Sequence, residues 1–148
     1  MDTESTPTSL PVASLVGTTD EGIDAMGGQA EVRIASFPFR IGRESRMVPS
    51  THLASEDLRL NAAPQLNDLY LRDPSRKRLQ ISREHFAIEY AGGKFFLLDR
   101  GSSCGTIVAE RRVGGDRAGG QTELRSGDRI GAGNDSSPCV FRFEIATD

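Results

Sequence analysis

Short runs in which apolar and polar residues alternate constrain the fold of this chain more than any other feature of its sequence. Residues 31–34 alternate in this way, and similar runs cover residues 37–41, 69–71, 79–90 and 141–145. A two-residue period over a few positions is typical of half-buried β-strands, whose side chains point to opposite faces of a sheet. The sequence therefore predicts many short strands.

The spacing of these runs indicates how the strands are joined. Residues 95–98 are continuously apolar, which predicts a strand buried on both faces. Turn-forming residues separate the runs at 91–93, 100–102, 114–115, 119–120, 126–128 and 131–138. A chain of 148 residues has room for about one domain. These features predict an all-β antiparallel sandwich or barrel without a long amphipathic helix.

Charge is distributed unevenly between the N-terminal segment and the rest of the chain. Residues 1–28 contain five acidic residues and no Lys or Arg, whereas the other 120 residues carry 18 basic and 16 acidic side chains. Low hydrophobicity and one-sided charge are typical of disorder. We therefore expect a flexible, acidic, Thr/Ser-rich tail over residues 1–28 and a domain over residues 29–148. Four apolar residues leave open that part of the tail docks: Val12, Leu15, Val16 and Ile23.

Composition argues against several classes of protein. No apolar run approaches the roughly 18 residues of a membrane span, and no secretory signal is visible. The isoelectric point near 5.4 argues against a general nucleic-acid binder. Two cysteines, Cys104 and Cys139, are too few for a disulfide framework or a four-thiolate zinc site. We expect a cytoplasmic chain that binds no nucleic acid, membrane, metal or cofactor.

Four clusters of residues stand at the predicted junctions between strands and loops. They are Ile41-Gly42-Arg43-Glu44, Ile81-Ser82-Arg83-Glu84-His85-Phe86, the DRGSSCGT segment at 99–106, and the LRSGDRIG segment at 124–131. In type and order they resemble the motifs of the forkhead-associated (FHA) domain, a phosphothreonine-peptide-binding module. The family pattern is Gly-Arg, Ser-x-x-His, Asp…Ser-x-Asn-Gly-Thr and Leu-x-x-Gly-Asp-x-Ile. The resemblance covers residues 29–147 or so, and a bacterial source is the expectation.

The resemblance implies both a fold and a set of site residues. The fold is an FHA-like antiparallel β-sandwich of about eleven strands, with ligand-binding loops at one end. Five positions match residues that hold the phosphopeptide in the family: Arg43, Ser82, Arg83, Ser103 and Cys104. Four more match positions that shape the loops without touching the ligand: Gly42, His85, Gly105 and Thr106.

The sequence departs from the family pattern at two places. Cys104 stands where the family usually has an Asn that hydrogen-bonds the peptide backbone. A thiol is a weak donor and a weak acceptor, so we expect a looser grip on the peptide. Between Arg43 and Ser82 lie 38 residues, which is longer than usual. This interval predicts a surface insertion over residues 44–66, which is either a second contact surface or inert.

A basic loop joins two of the predicted strands and is the expected determinant of specificity. Its four basic residues are Arg72, Arg76, Lys77 and Arg78. In the resembled family the corresponding loop often contacts residues C-terminal to the phosphothreonine. We therefore expect a preference for Asp or Glu there, and a merely solubilising loop is the alternative.

The resemblance implies a phosphothreonine-dependent protein–protein interaction module in Ser/Thr kinase signalling, not an enzyme. The alternative is an FHA-fold scaffold that binds its partner independently of phosphate. That alternative gains support if Arg43 is buried in an internal ion pair. The tail also supplies a candidate ligand, because Thr18 and Thr19 precede two acidic residues. Once phosphorylated, either threonine is a candidate for capture by the domain of its own chain, and the alternative is that the tail is a disordered leader.

Three further patterns have weaker functional interpretations. Ser82, His85 and Asp99 include one residue of each catalytic-triad type, but the sequence lacks a nucleophile elbow. The glycine-rich segment 114–120 lacks the Gly-Lys-Ser/Thr ending of a nucleotide-binding loop, and we expect a flexible hairpin tip. A redox-sensitive disulfide between Cys104 and Cys139 is the third, although cytosolic disulfides are rare.

Overall fold

The computed structural model of the protein describes residues 11–44, 66–74 and 79–146. These residues form eleven strands and one short helix. The strands are β1 (Ala13–Gly17), β2 (Glu31–Ile34), β3 (Phe39–Arg43), β4 (Leu69–Leu71), β5 (Phe86–Ala91), β6 (Lys94–Asp99), β7 (Thr106–Val108), β8 (Arg111–Val113), β9 (Gly120–Leu124), β10 (Arg129–Ala132) and β11 (Val140–Ile145). The helix α1 spans Asp20–Ala25.

The strands form two sheets that pack into a sandwich. One sheet has six strands in the order β2-β1-β11-β10-β7-β8, and the other has five in the order β4-β3-β5-β6-β9. Neighbouring strands are antiparallel except β3 and β4, which run parallel with Ile41 opposite Leu69. The expected all-β sandwich of about eleven strands is confirmed. The long interval before β4 falls between the two parallel strands, and most of the predicted insertion at 44–66 lies outside the described residues.

Alternate residues of the strands fill the space between the sheets. The largest fully buried side chains include Phe86, Phe141, Phe143, Leu15, Ile41 and Ile130. In β6 only Phe95 and Leu97 enter this core, whereas Phe96 and Leu98 lie on the outer face and are half-buried. The prediction of a strand buried on both faces is therefore wrong. The outer face of the sheet carries apolar side chains without being covered completely.

The N-terminal segment departs most from the sequence-based expectation. Strand β1 lies inside the six-stranded sheet, with Leu15 opposite Phe143 of β11 on one side and Val32 of β2 on the other. Leu15 is fully buried. The prediction of a flexible tail ending at residue 28 is therefore wrong for residues 13–28, and the domain includes them. Residues 1–10 lie outside the described residues.

The topology gathers several connections at one end of the sandwich. Strand β3 ends there at Arg43, β6 ends at Asp99 opposite Phe86, and β7 begins at Thr106 opposite Ala132. The segments 79–85 and 100–105 therefore lie side by side at this end. Among the described residues, no helix is long and apolar enough to cross a membrane.

We predict that Leu15→Ala lowers the free energy of unfolding by about 2–5 kcal/mol, because it leaves a cavity beside Phe143. Val16→Ala is the matched control, since Val16 is the neighbouring, half-buried residue of the same strand. Denaturant titration of both variants measures the difference. Equal stability of Leu15→Ala and the parent chain would contradict the placement of β1 in the core.

Candidate functional site

Arg43 closes β3 and turns its guanidinium toward the segment before β5. Its backbone N–H donates to the Ser82 carbonyl at 2.9 Å, and its Nε donates to the Ile81 carbonyl at 2.9 Å. The side chain is half-buried. Within the described part of the chain, its two Nη groups have no hydrogen-bond or ion-pair partner. Arg43 is thus held firmly at Nε and free to bind an anion at Nη.

Ser82 and Ser103 connect the two loops that follow β4 and β6. The backbone N–H of Ser103 donates to Ser82 Oγ at 3.0 Å. This bond occupies one lone pair of the Ser82 hydroxyl oxygen. The hydroxyl proton of Ser82 has no acceptor among the residues that the structure describes. Ser103 and Arg83 are both exposed, and the Arg83 guanidinium likewise has no described partner. The structure therefore brings these predicted residues together around one exposed surface.

Gly42 allows the segment containing Arg83 to approach β3 closely. A Cβ atom at position 42 would lie 1.9 Å from the Arg83 carbonyl oxygen, so only glycine fits there. The same oxygen accepts a hydrogen bond from Asn67 Nδ2 at 2.8 Å. The backbone of Arg83 is consequently fixed from two sides, while its side chain remains in solvent.

His85 is completely buried and bridges the two loops. The Ser82 backbone N–H lies 2.9 Å from Nδ1, which must accept that hydrogen bond. Nε2 lies 2.7 Å from the Gly105 carbonyl oxygen and therefore carries the proton of the neutral ring. Burial lowers the pKa of His85 below its ordinary value, in agreement with a neutral imidazole.

Asp99 organises the turn between β6 and β7. Its Oδ1 accepts from the N–H groups of Gly101 and Ser102 at 3.0 and 2.8 Å. Its Oδ2 accepts from the hydroxyls of Ser102 and Thr106 at 2.6 and 2.8 Å. Ser102 Oγ in turn accepts from the N–H of Gly105 at 2.9 Å. All members of this network except the half-buried Gly101 are buried, so the turn that presents Ser103 is rigidly defined.

Two further side chains support the site, and sequence reasoning missed both. Arg100 donates to Asn67 Oδ1 and, at 2.9 Å, to the Leu66 carbonyl oxygen. Burial lowers the pKa of Arg100, and the nearby Glu84 carboxylate opposes that shift. Asn67 links Arg100 to the Arg83 carbonyl. Asn67 lies outside the four motif clusters, after the long interval before β4, whereas Arg100 lies within the 99–106 cluster at a position to which the sequence analysis assigned no role.

Cys104 is half-buried, with Sγ 3.8 Å from the Leu79 carbonyl oxygen, a distance typical of a weak thiol hydrogen bond. Both cysteines are free thiols, so the hypothesised disulfide is not formed. Burial raises the pKa of Cys139 to about 12, which keeps that thiol protonated.

Part of the predicted specificity loop is also described. Arg72 is exposed, and its backbone N–H donates a hydrogen bond to the Ala25 carbonyl. Arg76, Lys77 and Arg78 lie outside the described residues. The Asp73 carboxylate accepts from the N–H groups of Gln80 and Ile81 at 2.7 and 2.8 Å. The two ends of this loop are therefore tied together beside the site.

The glycine-rich loop 114–119 is not the free hairpin tip that its composition predicts. The Asp116 N–H donates to the Ser103 carbonyl at 2.9 Å, and the Arg117 N–H donates to the Ser102 carbonyl at 3.0 Å. A Cβ atom at Gly114 would lie 2.5 Å from the Asp99 carboxyl carbon. The glycines therefore permit tight docking against the turn after β6.

Thr18 and Thr19 lie in the turn between β1 and α1, not on a mobile tail. Thr19 is the N-cap of α1, where its hydroxyl accepts from the Gly22 N–H at 3.0 Å and donates to the Pro138 carbonyl at 2.7 Å. The Thr18 hydroxyl donates to the Val140 carbonyl at 3.2 Å. The hypothesis of capture in cis is wrong as stated, because it requires a flexible segment around these threonines.

The catalytic-triad interpretation is also contradicted by the geometry. Both ring nitrogens of His85 are bonded to backbone groups, so neither is available to the Ser82 hydroxyl. The Asp99 carboxylate binds groups of its own turn and Thr106 instead of orienting the imidazole. In the described ranges, no group of three or more His, Cys, Asp or Glu side chains could hold a metal ion.

The bridging histidine predicts how stability depends on pH. Because the folded-state pKa of His85 lies below its ordinary value of 6.5, the unfolded chain binds more protons between those two values. Stability is fully present above about pH 6.5 and falls as the pH drops below it, with a slope of at most about 1.4 kcal/mol per pH unit.

His85→Gln should remove this slope, whereas His52→Gln, which changes the other histidine of the chain, should retain it. Denaturant unfolding measured at intervals from pH 5 to 8 provides the test. A slope that survives in His85→Gln would show that another group is responsible.

Comparison with known proteins places this geometry in a family. The family model of the FHA domain matches residues 39–133, more than half of the chain. A search of curated protein sequences found no match.

Solved structures share the fold at low sequence identity. The FHA-1 domain of Rv1747 from Mycobacterium tuberculosis is 20% identical with a TM-score of 0.57, over 93% of this chain and 98% of that one. The kinase-interacting FHA domain of the phosphatase KAPP from Arabidopsis is 20% identical with a TM-score of 0.59, over 93% and 96%.

A third similar structure is that of Mycobacterium tuberculosis EmbR in complex with a low-affinity phosphopeptide. It is 19% identical with a TM-score of 0.54, and the match covers 93% of this chain but 25% of EmbR. This chain thus spans about a quarter of that protein. The match to the family model, together with the eleven-stranded sandwich, shows that the chain belongs to the FHA domain family.

Proposed function

We propose that this FHA domain binds a phosphothreonine-containing segment of a partner protein and that Arg43, Ser82 and Arg83 hold the phosphate. The observation that carries this proposal is the state of the Ser82 hydroxyl. Its oxygen accepts the Ser103 N–H, so its proton remains available, and among the described residues neither this proton nor the Nη groups of Arg43 have a partner. The two groups are held together by the bond from the Arg43 N–H to the Ser82 carbonyl.

The charge of the ligand matches these donors. A phosphothreonine carries about −1.5 to −2 charges and three acceptor oxygens. Two guanidinium groups neutralise that charge, and hydrogen bonds to charged groups contribute roughly 1.5–3 kcal/mol each. The rigid turn at Asp99 and the bridging His85 hold the donors in place before the ligand arrives. Preorganisation of this kind lowers the entropic cost of binding.

The comparisons support the same ligand class. EmbR, which shares the fold, was solved with a phosphopeptide, and the KAPP domain is described as kinase-interacting. We extend this role to the present chain as an interaction module in Ser/Thr kinase signalling. No catalytic step is proposed, and no cofactor is required for binding of this kind.

The alternative is a scaffold that binds its partner independently of phosphate. That alternative requires Arg43 to be neutralised within the domain. Among the described residues, Arg43 forms no ion pair, and its one side-chain bond is to a backbone carbonyl. The phosphate-dependent function is therefore favoured.

Arg43→Ala should weaken binding of a phosphothreonine peptide by at least about 100-fold, because charged hydrogen bonds to the phosphate are lost. Arg125→Ala is the matched control, since Arg125 is exposed in the β9–β10 turn at the opposite end. Calorimetric titration of a degenerate phosphothreonine peptide library, with phosphoserine and unphosphorylated libraries alongside, measures the effect. Undiminished affinity of a natively melting Arg43→Ala variant would contradict the proposal.

Cys104 offers a gain-of-function prediction. An Asn side chain provides a strong donor and acceptor for the peptide backbone, whereas the thiol provides weak ones. Cys104→Asn should therefore tighten phosphopeptide binding by about 3- to 10-fold, the equivalent of one added hydrogen bond. Cys104→Ala is the control and should give no gain. Equal affinities of the Asn and Ala variants would show that position 104 does not contact the peptide.

The preference for acidic residues C-terminal to the phosphothreonine remains part of the proposal. Arg72 is exposed and follows Leu71, which pairs with Arg43 across the parallel strands, and this position supports the preference. The other three basic residues of that loop lie outside the described ranges.

A further inference from the structure

The loop 114–119 contains an unusual run of left-handed backbone. Gly114, Gly115, Asp116 and Arg117 are consecutive, with φ values of 75°, 106°, 53° and 64°. Glycine adopts this conformation freely, and Asp is tolerated there. In left-handed backbone the Cβ of an arginine comes too close to the following carbonyl oxygen. The left-handed conformation is therefore unfavourable for an ordinary residue such as arginine.

Glycine would relieve that strain at position 117, and the loop already uses glycine at 114, 115 and 119. A bulky cationic residue in an unfavourable backbone conformation, next to a binding site, points to a role for its side chain. Arg117 is exposed, and no described residue forms an ion pair or side-chain hydrogen bond with it. Packing within the domain therefore does not account for the arginine.

The backbone of Arg117 is fixed to the proposed phosphate site. Its N–H donates to the Ser102 carbonyl at 3.0 Å, and the preceding Asp116 N–H donates to the Ser103 carbonyl at 2.9 Å. Ser103 itself donates to Ser82 Oγ at 3.0 Å. A continuous chain of hydrogen bonds thus joins Arg117 to Ser82, and the guanidinium extends into solvent from the rim of the site.

Arg112 holds the other side of the same loop. Its Nε donates to the Gly114 carbonyl at 3.2 Å, and its guanidinium lies over Gly115, where a Cβ atom would be 2.2 Å from Nη2. The same side chain passes 3.2 Å from the Cβ position of Gly105, next to Cys104. Arg112 therefore positions the loop at Gly114 and Gly115 and brings a second positive charge to it.

We propose that Arg117 binds an anionic side chain of the phosphorylated partner, at a position flanking the phosphothreonine. This inference rests on the proposed function and assigns to Arg117, outside the basic loop that contains Arg72, the recognition of an acid beside the phosphothreonine. A carboxylate and a second phosphoryl group share the required chemistry. Because the guanidinium is exposed, its contribution is smaller than that of Arg43 and weakens as salt rises.

The test uses one alanine-flanked phosphothreonine peptide and a series in which aspartate, or phosphoserine, is scanned through the positions on either side. Affinities are measured by fluorescence anisotropy for the full chain and for Arg117→Gly and Arg117→Lys. Glu110→Gly is the matched control, since Glu110 has a φ of 72° in the β7–β8 turn at the opposite end. It relieves comparable strain without changing the site.

An aspartate or phosphoserine at a favoured position should raise the affinity of the parent chain by about 3- to 10-fold. Arg117→Gly should lose that gain, keep its affinity for the alanine-flanked peptide, and melt no lower than the parent chain. Arg117→Lys should keep part of the gain, and Glu110→Gly all of it. If the aspartate peptides bind more tightly than the phosphoserine peptides, the partner supplies a carboxylate. If the phosphoserine peptides bind more tightly, the partner is doubly phosphorylated.

Three results would overturn the inference. The first is that no flanking acid raises the affinity of the parent chain. The second is that a flanking acid raises the affinity of Arg117→Gly by as much as that of the parent chain. The third is that Arg117→Gly loses the same factor in affinity for every peptide. In each of these cases the alanine-flanked peptide still binds, and the proposed function stands. If no phosphopeptide binds the parent chain, the proposed function fails, and this inference fails with it.

Discussion

The buried imidazole of His85 is the interaction on which the rest of the site depends. One ring nitrogen accepts from the Ser82 N–H and the other donates to the Gly105 carbonyl, so a single neutral side chain sets the separation of two loops. The exposed side chains of the site belong to these two loops and to the end of β3, so their relative positions depend on that separation. A buried polar group with both partners satisfied rigidifies its surroundings, because breaking either bond leaves an unpaired group without water.

A second layer of hydrogen bonds carries this order outward. The four bonds to the Asp99 carboxylate define the turn that presents Ser103, and the loop at 114–119 docks on that turn through backbone bonds. Two glycines permit close approach at different places in this arrangement. Gly42 lets two backbones touch, and Gly114 lets a loop lie flat against a carboxylate. In both cases the residue that is conformationally freest produces the tightest packing.

Motif-bearing segments were predictable from the sequence because their residue types are dictated by local chemistry. Gly42, Arg43, Ser82 and His85 lie where the resemblance implied, at the ends of strands whose alternation is visible in the sequence. The N-terminal strand was not predictable in the same way. Its burial depends on Phe143 and Val32, which are distant in sequence, while its acidic neighbours suggested disorder. Asn67 was missed for a similar reason, since its partners belong to other loops.

The parallel pairing of β3 with β4 has a consequence for how this domain can vary in length. A parallel pair needs a crossover connection of about a dozen residues, whereas an antiparallel pair can be joined by two. The interval from 44 to 68 separates these strands and is about twice that minimum. The connection can therefore vary in length above that minimum without a change in the pairing of β3 with β4.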